Sequence, residues 1–231
     1  MDLARFLSIF LFQGMGSCFL IFLCINYVKN GGVKKENVFF LIFCSFFVFA
    51  ALINMLYAFM FNESIVTILY ALSMMGLIGA PIALLFLSIN FLWYKVDLRL
   101  QFFIFFVLVG INLFILLILG ENHLIINNST KWTPQWDLSY FSWFMITFSV
   151  MIIFNVIFML KVYTKITNPV ERKKWSGFMI GSIGACVALI GIGIANVQAY
   201  DSPYRIVGTT MLATVLIFAY ITYRALYSIG K

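Results

Sequence analysis

Residues 102–119 read FFIFFVLVGINLFILLIL, an apolar run with no charged side chain, relieved only by Gly110 and Asn112. About 20 such residues are what a helix needs to cross the hydrocarbon core of a bilayer. Strands of a membrane barrel would be about ten residues each and alternate in polarity, which this run does not do. Working outward, runs of the same kind recur at about 4–27, 38–61, 65–93, 100–120, 139–163, 175–199 and 204–228. The expected fold is an all-α membrane protein, a seven-transmembrane-helix bundle forming one domain over residues 1–231. The long third run predicts a helix that tilts or extends past the membrane.

Composition agrees. Of 231 residues 64% are hydrophobic and only 10% charged, Phe alone numbers 27, and mean hydropathy is +1.05. A soluble domain carries roughly 25% charged residues, so the main solvent here is lipid. The first run is longer than the roughly 7–15 residue core of a signal peptide, and it precedes Lys29, Lys34 and Lys35. It reads as a membrane helix. Cys18, Cys24, Cys44 and Cys186 all fall inside apolar runs, where they serve as small buried hydrophobes rather than loop disulfides.

Charge orients the chain. Lys29, Lys34, Lys35, Lys95, Arg99, Lys161, Lys165, Arg172, Lys173, Lys174, Arg224 and Lys231 fall on one side; only Arg5, Lys131 and Arg205 fall on the other. Twelve of fifteen cations on one side place that side in the cytoplasm. The N-terminus is then outside, the C-terminus cytoplasmic, and the cell membrane the expected location. The net charge of +7 is a topology signal, not a nucleic-acid surface, because no basic helix face exists. Aromatic residues suggest headgroup belts: Trp93, Tyr94, Tyr163, Trp175, Tyr223 and Tyr227 inside, Trp132, Trp136, Tyr140, Trp143, Tyr200 and Tyr204 outside. Glycosylation acceptor patterns start at Asn62, Asn127 and Asn128, all on the expected outside. The longest connection is about 121–138.

No Asp, Glu, Lys or Arg lies midway along any run. That argues against a proton pump or ion-coupled transporter, and the seventh run has no lysine for a retinal Schiff base. The single histidine, His123, sits in the long outer connection, so neither a multi-histidine zinc site nor a membrane-embedded Ser–His protease can be assembled. His123 reads most simply as a solvated loop residue, with a ligand or pH-sensing role as the alternative. An enzyme is not expected, nor any metal or cofactor.

Three features carry positive content. Gly177, Gly181, Gly184, Ala188, Gly191 and Ala195 set small residues along one face of the sixth helix, for packing within the bundle or for homodimerisation. Pro81 interrupts the hydrogen bonding of the third helix and is a candidate hinge. Gln13, Asn54, Tyr57, Asn112, Trp143, Thr147, Asn196, Gln198, Thr209 and Thr210 fall in the outer half or near the midplane. Singly they read as interhelical hydrogen-bonding groups; together they suggest an outward pocket for a small molecule.

The third run, Gly76-Leu-Ile-Gly-Ala-Pro81-Ile-Ala-Leu-Leu-Phe86, resembles that of the seven-helix extracytoplasmic-sensing region at the N-terminus of bacterial and archaeal sensor histidine kinases. Gly120-Glu-Asn-His123, Asp137-Leu-Ser-Tyr-Phe-Ser-Trp143, Arg172-Lys-Lys before a small-rich helix ending in Ala195-Asn196, and Tyr223-Arg-Ala-Leu-Tyr227 are similar to its later parts. The sixth run lacks a proline often found there, and no kinase half stands in this sequence, so the resemblance implies either a stand-alone sensor acting through a partner or a truncated or relic sensor. The G-protein-coupled receptor shares topology alone: Phe91-Leu-Trp-Tyr-Lys95 stands where its acidic-Arg-Tyr motif would be.

The expected function is a sensory or receptor-like module that binds a small ligand from the outer side or outer leaflet. Its cytoplasmic partner would meet Lys34, Lys35, Lys95, Arg99, Arg172, Lys173 and Lys174. The alternatives are a facilitator of a neutral solute or lipid, and a structural subunit of a membrane complex. Expected partners are membrane lipids, the small ligand, and a signalling protein or second copy.

Overall fold

The computed structural model describes residues 7–31, 38–93, 95–197 and 203–227. Arg5, Lys34, Lys35, Tyr94, Gln198, Tyr200 and Lys231 lie outside the described residues. Seven helices are long and apolar enough to cross a membrane. They are α1 (Gly14–Gly31, preceded by a π-helical stretch, Leu7–Gln13), α2 (Val38–Tyr57), α3 (Glu63–Leu92), α4 (Leu98–His123), α5 (Leu138–Lys165), α6 (Pro169–Asn196) and α7 (Pro203–Tyr227).

The helix starts follow from local chemistry. Asn62, Asp97, Asp137 and Asn168 each turn a side-chain oxygen onto an N–H of the first turn of α3, α4, α5 and α6. Such caps satisfy donors that the helix itself leaves open. Pro169 follows Asn168 at the first helical position, where its missing N–H costs nothing.

The third helix is the axis of the molecule. In its most apolar stretch 78% is buried and in that of α6 61%, against 17–28% for the other five spans. On α3 a Cβ at Gly76 would stand 2.8 Å from the Cβ of Ala50 and 2.9 Å from the carbonyl of Phe46. Glycine there lets α2 approach at backbone distance, and the Ser73 hydroxyl donates to the Ala50 carbonyl at 2.9 Å. The helix runs unbroken through Pro81, and Asn155 of α5 donates across to the Pro81 carbonyl at 2.9 Å.

The small-residue face of α6 is covered by α7 of the same chain. A Cβ at Gly177 would meet Ala225, one at Gly181 the Thr222 hydroxyl and Phe218 carbonyl, one at Gly184 the Phe218 ring, and one at Gly191 the Gly208 carbonyl. The outward faces of the bundle are apolar instead: Phe103, Phe114, Ile146 and Ile217 are each more than half exposed. A soluble bundle hides such side chains.

Two expectations need correction. Trp136, Tyr140 and Trp175 do not sit in peripheral belts: they are 4%, 0% and 9% exposed. The indole N–H groups find acceptors inside, Trp136 on the Tyr70 hydroxyl at 3.1 Å and Trp175 on the Met159 carbonyl at 3.0 Å, so burial leaves neither unpaired. Nor is every cysteine buried. Cys44 and Cys186 are, whereas Cys18 is exposed on α1.

The connection between α4 and α5 is a hairpin. β1 (Leu124–Ile125) pairs antiparallel with β2 (Gln135–Trp136). Its turn is held by the Asn127 side-chain oxygen, which accepts from Ser129 and Thr130 N–H groups, with Lys131 and Trp132 in the left-handed backbone region. Trp132 packs edge-on to Phe61, and Trp136 lies against Tyr140 and Phe144. Below it His123 Nδ1 and Asp137 Oδ2 stand 2.5 Å apart.

Candidate functional site

A cavity of about 630 Å³ opens among α1, α2, α3, α6 and α7, at the end of the bundle where α1 and α3 begin. Sites for small organic ligands typically span about 300–1,000 Å³. Thr133 and Pro134 of the hairpin turn lie over it. No residue of α4 or α5 lines it, because α3 stands between.

The cavity has two tiers, and each helix supplies both. Gln13, Asn54, Tyr70, Asn196 and Arg205 line it near the bundle end. Seven residues deeper along each helix are Leu20, Phe47, Leu77, Leu189 and Leu212, which also line it. Seven residues are two helical turns, about 10 Å. A polar ring thus overlies an apolar ring about 10 Å further in.

Within the polar tier Tyr70 is the centre. Its hydroxyl accepts from the Trp136 indole and from the Asn196 amide, each at 3.1 Å, and its ring packs edge-on to Tyr57. Tyr70 is 2% exposed, so this junction of α3, α6 and the hairpin is a buried structural tie as well as a cavity wall. Across the cavity the Asn54 amide donates to Gln13 Oε1 at 2.6 Å, tying α2 to the start of α1. The Asn54 oxygen is buried and meets no donor among the described residues. Thr209 and Thr210 turn their hydroxyls onto their own helix, to the carbonyls of Arg205 and Ile206 at 2.8 Å.

The residues read from the sequence therefore divide. Gln13, Asn54, Tyr57, Asn196, Thr209 and Thr210 come together on the cavity. Asn112, Trp143 and Thr147 stand on α4 and α5, on the far side of α3, and do not reach it. The Asn112 amide instead donates to the Leu108 carbonyl one turn back at 2.9 Å. Sequence reasoning missed Tyr70, Ser73, Ser17, Arg205 and Thr133. A signal existed: Tyr70, Ser73, Met74 and Leu77 follow the spacing of one helical face, as do Phe47, Ala50, Ala51 and Asn54. Judging polar residues singly hides that spacing.

Of the expected cytoplasmic contacts, Lys95, Arg99, Arg172 and Lys173 are exposed and Lys174 half-buried, all at the opposite end of the bundle. Pro81 and Asn155 lie inside the bundle and outside the cavity wall. Among the described residues no three of His, Cys, Asp and Glu converge.

Electrostatics outside the membrane segments centre on Asp137. Partial burial pushes its carboxyl up, but the N–H groups of Tyr140 and Ser139 and the neighbouring His123 outweigh this and hold it below the usual aspartate range. It caps α5 through bonds of 2.9 and 3.0 Å to those two N–H groups.

Compared with known proteins, the chain matches no family model and no curated protein. The fold and the cavity define the class by themselves: a multi-pass helical membrane protein with a two-tiered cavity at one end of the bundle.

Proposed function

We propose that the protein is a receptor-like or sensory membrane module whose ligand is a small amphipathic molecule held in the two-tiered cavity. The observation that carries this reading is the stacking of polar on apolar residues at seven-residue spacing in five helices. Such a site takes a hydrogen-bonding head at Asn54, Tyr57, Tyr70 and Asn196, and an apolar body about 10 Å long below it. The bias of Lys and Arg toward the other end supports an outward-facing cavity, with the N-terminus outside and the C-terminus in the cytoplasm. The likeness of the third run to sensor-kinase membrane regions supports a signalling role. Ligand binding would shift the balance between two arrangements of α6 and α7, and the basic connections around Lys95 and Arg172 would pass that shift to a cytoplasmic partner.

The test is binding by the purified protein in lipid nanodiscs. A panel of medium-chain alcohols, acids and amides is scored by thermal shift, with Asn54→Leu and Asn196→Leu as site variants and Asn112→Leu as control. Saturable stabilisation lost in the first two and kept in the third is the expected result. No stabilisation by any amphiphile, or loss only in the control, overturns the reading. Protein alone in liposomes is expected to bind without carrying the same compound across; saturable flux would instead favour a facilitator.

A further inference from the structure

At the opposite end of the bundle lies a second cleft, of about 380 Å³, between α2, α3, α5 and α6. Its walls are Phe40, Leu87, Phe91, Trp175 and Phe178, and its rim carries Lys165, Lys174 and Glu171. We infer that this cleft binds an anionic phospholipid of the adjacent leaflet, with the phosphate between Lys165 and Lys174 and one acyl chain in the aromatic cleft.

Sequence position layers the cleft. Lys165 ends α5 and Lys174 lies in the second turn of α6. Phe178 is one turn deeper than Lys174, and Leu87 one turn deeper than Phe91. Charge therefore sits at headgroup level and hydrocarbon below it, the order of parts in a phospholipid. Two neighbouring cations are turned elsewhere: the Arg172 guanidinium lies 4.4 Å from the centre of the Tyr163 ring, and the Lys161 ammonium 5.4 Å from that of Phe158. Lys165 and Lys174 line the cleft, and among the described residues no carboxylate stands within ion-pair distance of either, Glu171 included. Among the described residues lining the cleft, two lysines against one glutamate leave one net positive charge at the rim, matching the net single negative charge of an anionic phospholipid. A lysine near an anionic surface favours it about fivefold, so a preference of that order over a zwitterionic lipid is expected.

Trp175 makes the cleft visible, because its indole forms the wall. In nanodiscs, phosphatidylglycerol with brominated chains is expected to quench tryptophan emission more than equally brominated phosphatidylcholine at equal mole fraction. That excess should vanish in Trp175→Phe. It should also vanish in the Lys165→Gln, Lys174→Gln double variant, which leaves the aromatic walls intact, and survive in Lys161→Gln, Lys173→Gln. Equal quenching by the two lipids overturns the proposal. So does an excess that survives the Lys165, Lys174 substitutions, or one lost equally in the control pair, which means diffuse surface charge. Abolition of the excess by soluble glycerol phosphate at equal phosphate concentration would show a headgroup-only anion site and would also overturn it.

Discussion

Tyr70 concentrates what single residues do here. Trp136 can only donate, so the phenol oxygen is its one acceptor, while the Asn196 amide can turn either end toward the same hydroxyl. Tyr70→Phe removes the oxygen and leaves a buried indole N–H unpaired, a loss of about 1–3 kcal/mol. Thermal unfolding in detergent should register it as a clear fall in Tm. The opposite sign is expected at Asn90 and Gln101. Each is 1% exposed, and neither amide has a hydrogen-bond partner among the described residues. The rings of Phe86 and Phe105 pack at 6.2 Å between α3 and α4, and Asn90 and Gln101 each lie one helical turn along from those rings, toward the same end of the bundle. Replacing both with leucine removes uncompensated polar burial. The double variant should melt higher than the parent; a lower Tm would mean that the amides are satisfied. Asp137 supplies a pH dependence. Its folded carboxyl titrates below the usual range, so its contribution is complete above the ordinary aspartate pKa and disappears as pH falls through the folded value. Asp137→Ala should lower stability by about 1 kcal/mol near neutrality through the lost cap. Its melts should then converge with those of the parent in acid.

At the level of elements, the contact between α6 and α7 is the most demanding. Leucine at Gly181 would have to enter space held by the Thr222 hydroxyl and the Phe218 carbonyl, and backbone cannot move aside as a flexible side chain can. Gly181→Leu is expected to unfold or dissociate this pair, whereas Gly110→Leu should leave the melt unchanged or raise it. A Cβ at Gly110 meets nothing within 4 Å, and leucine is the better helix former. A close approach on this face was legible in advance, because glycine and alanine at spacings of three and four let another backbone come near. That the approaching helix belongs to the same chain was not legible, since spacing names a face and not its occupant. The hairpin between α4 and α5 was hidden for a different reason. Strands of two residues leave no alternation to read, and Trp136, which resembles an interfacial aromatic, is drawn inward by Tyr70, a residue 66 positions away in sequence.

The whole molecule decides which polar residues can share a site. The seven spans follow from run length and hydropathy, which do not depend on how the helices are arranged. The cavity depends on that arrangement. Because α3 is the axis, α4 and α5 are screened from it, and Asn112, Trp143 and Thr147 were excluded by a packing order that no run of sequence contains. What remained readable was the pairing of a polar residue with an apolar one two turns deeper in α1, α2, α3, α6 and α7. That regularity is what a binding site would show and a packing void need not, and one substitution tests the difference. Gly16 lines the cavity between the tiers, and among the described residues a Cβ there would meet only Leu216, at an ordinary 3.7 Å. Gly16→Leu should therefore project into open space. Helix propensity and apolar burial together should stabilise the fold by about 1 kcal/mol or more. If the cavity holds an amphipathic ligand, the same variant must also lose ligand-induced stabilisation, because the leucine occupies the path of the apolar body between the two rings. A rise in Tm with undiminished ligand response would place binding elsewhere. A rise in Tm with the response abolished, beside a normal response in Asn112→Leu, is the outcome that the two-tiered geometry requires.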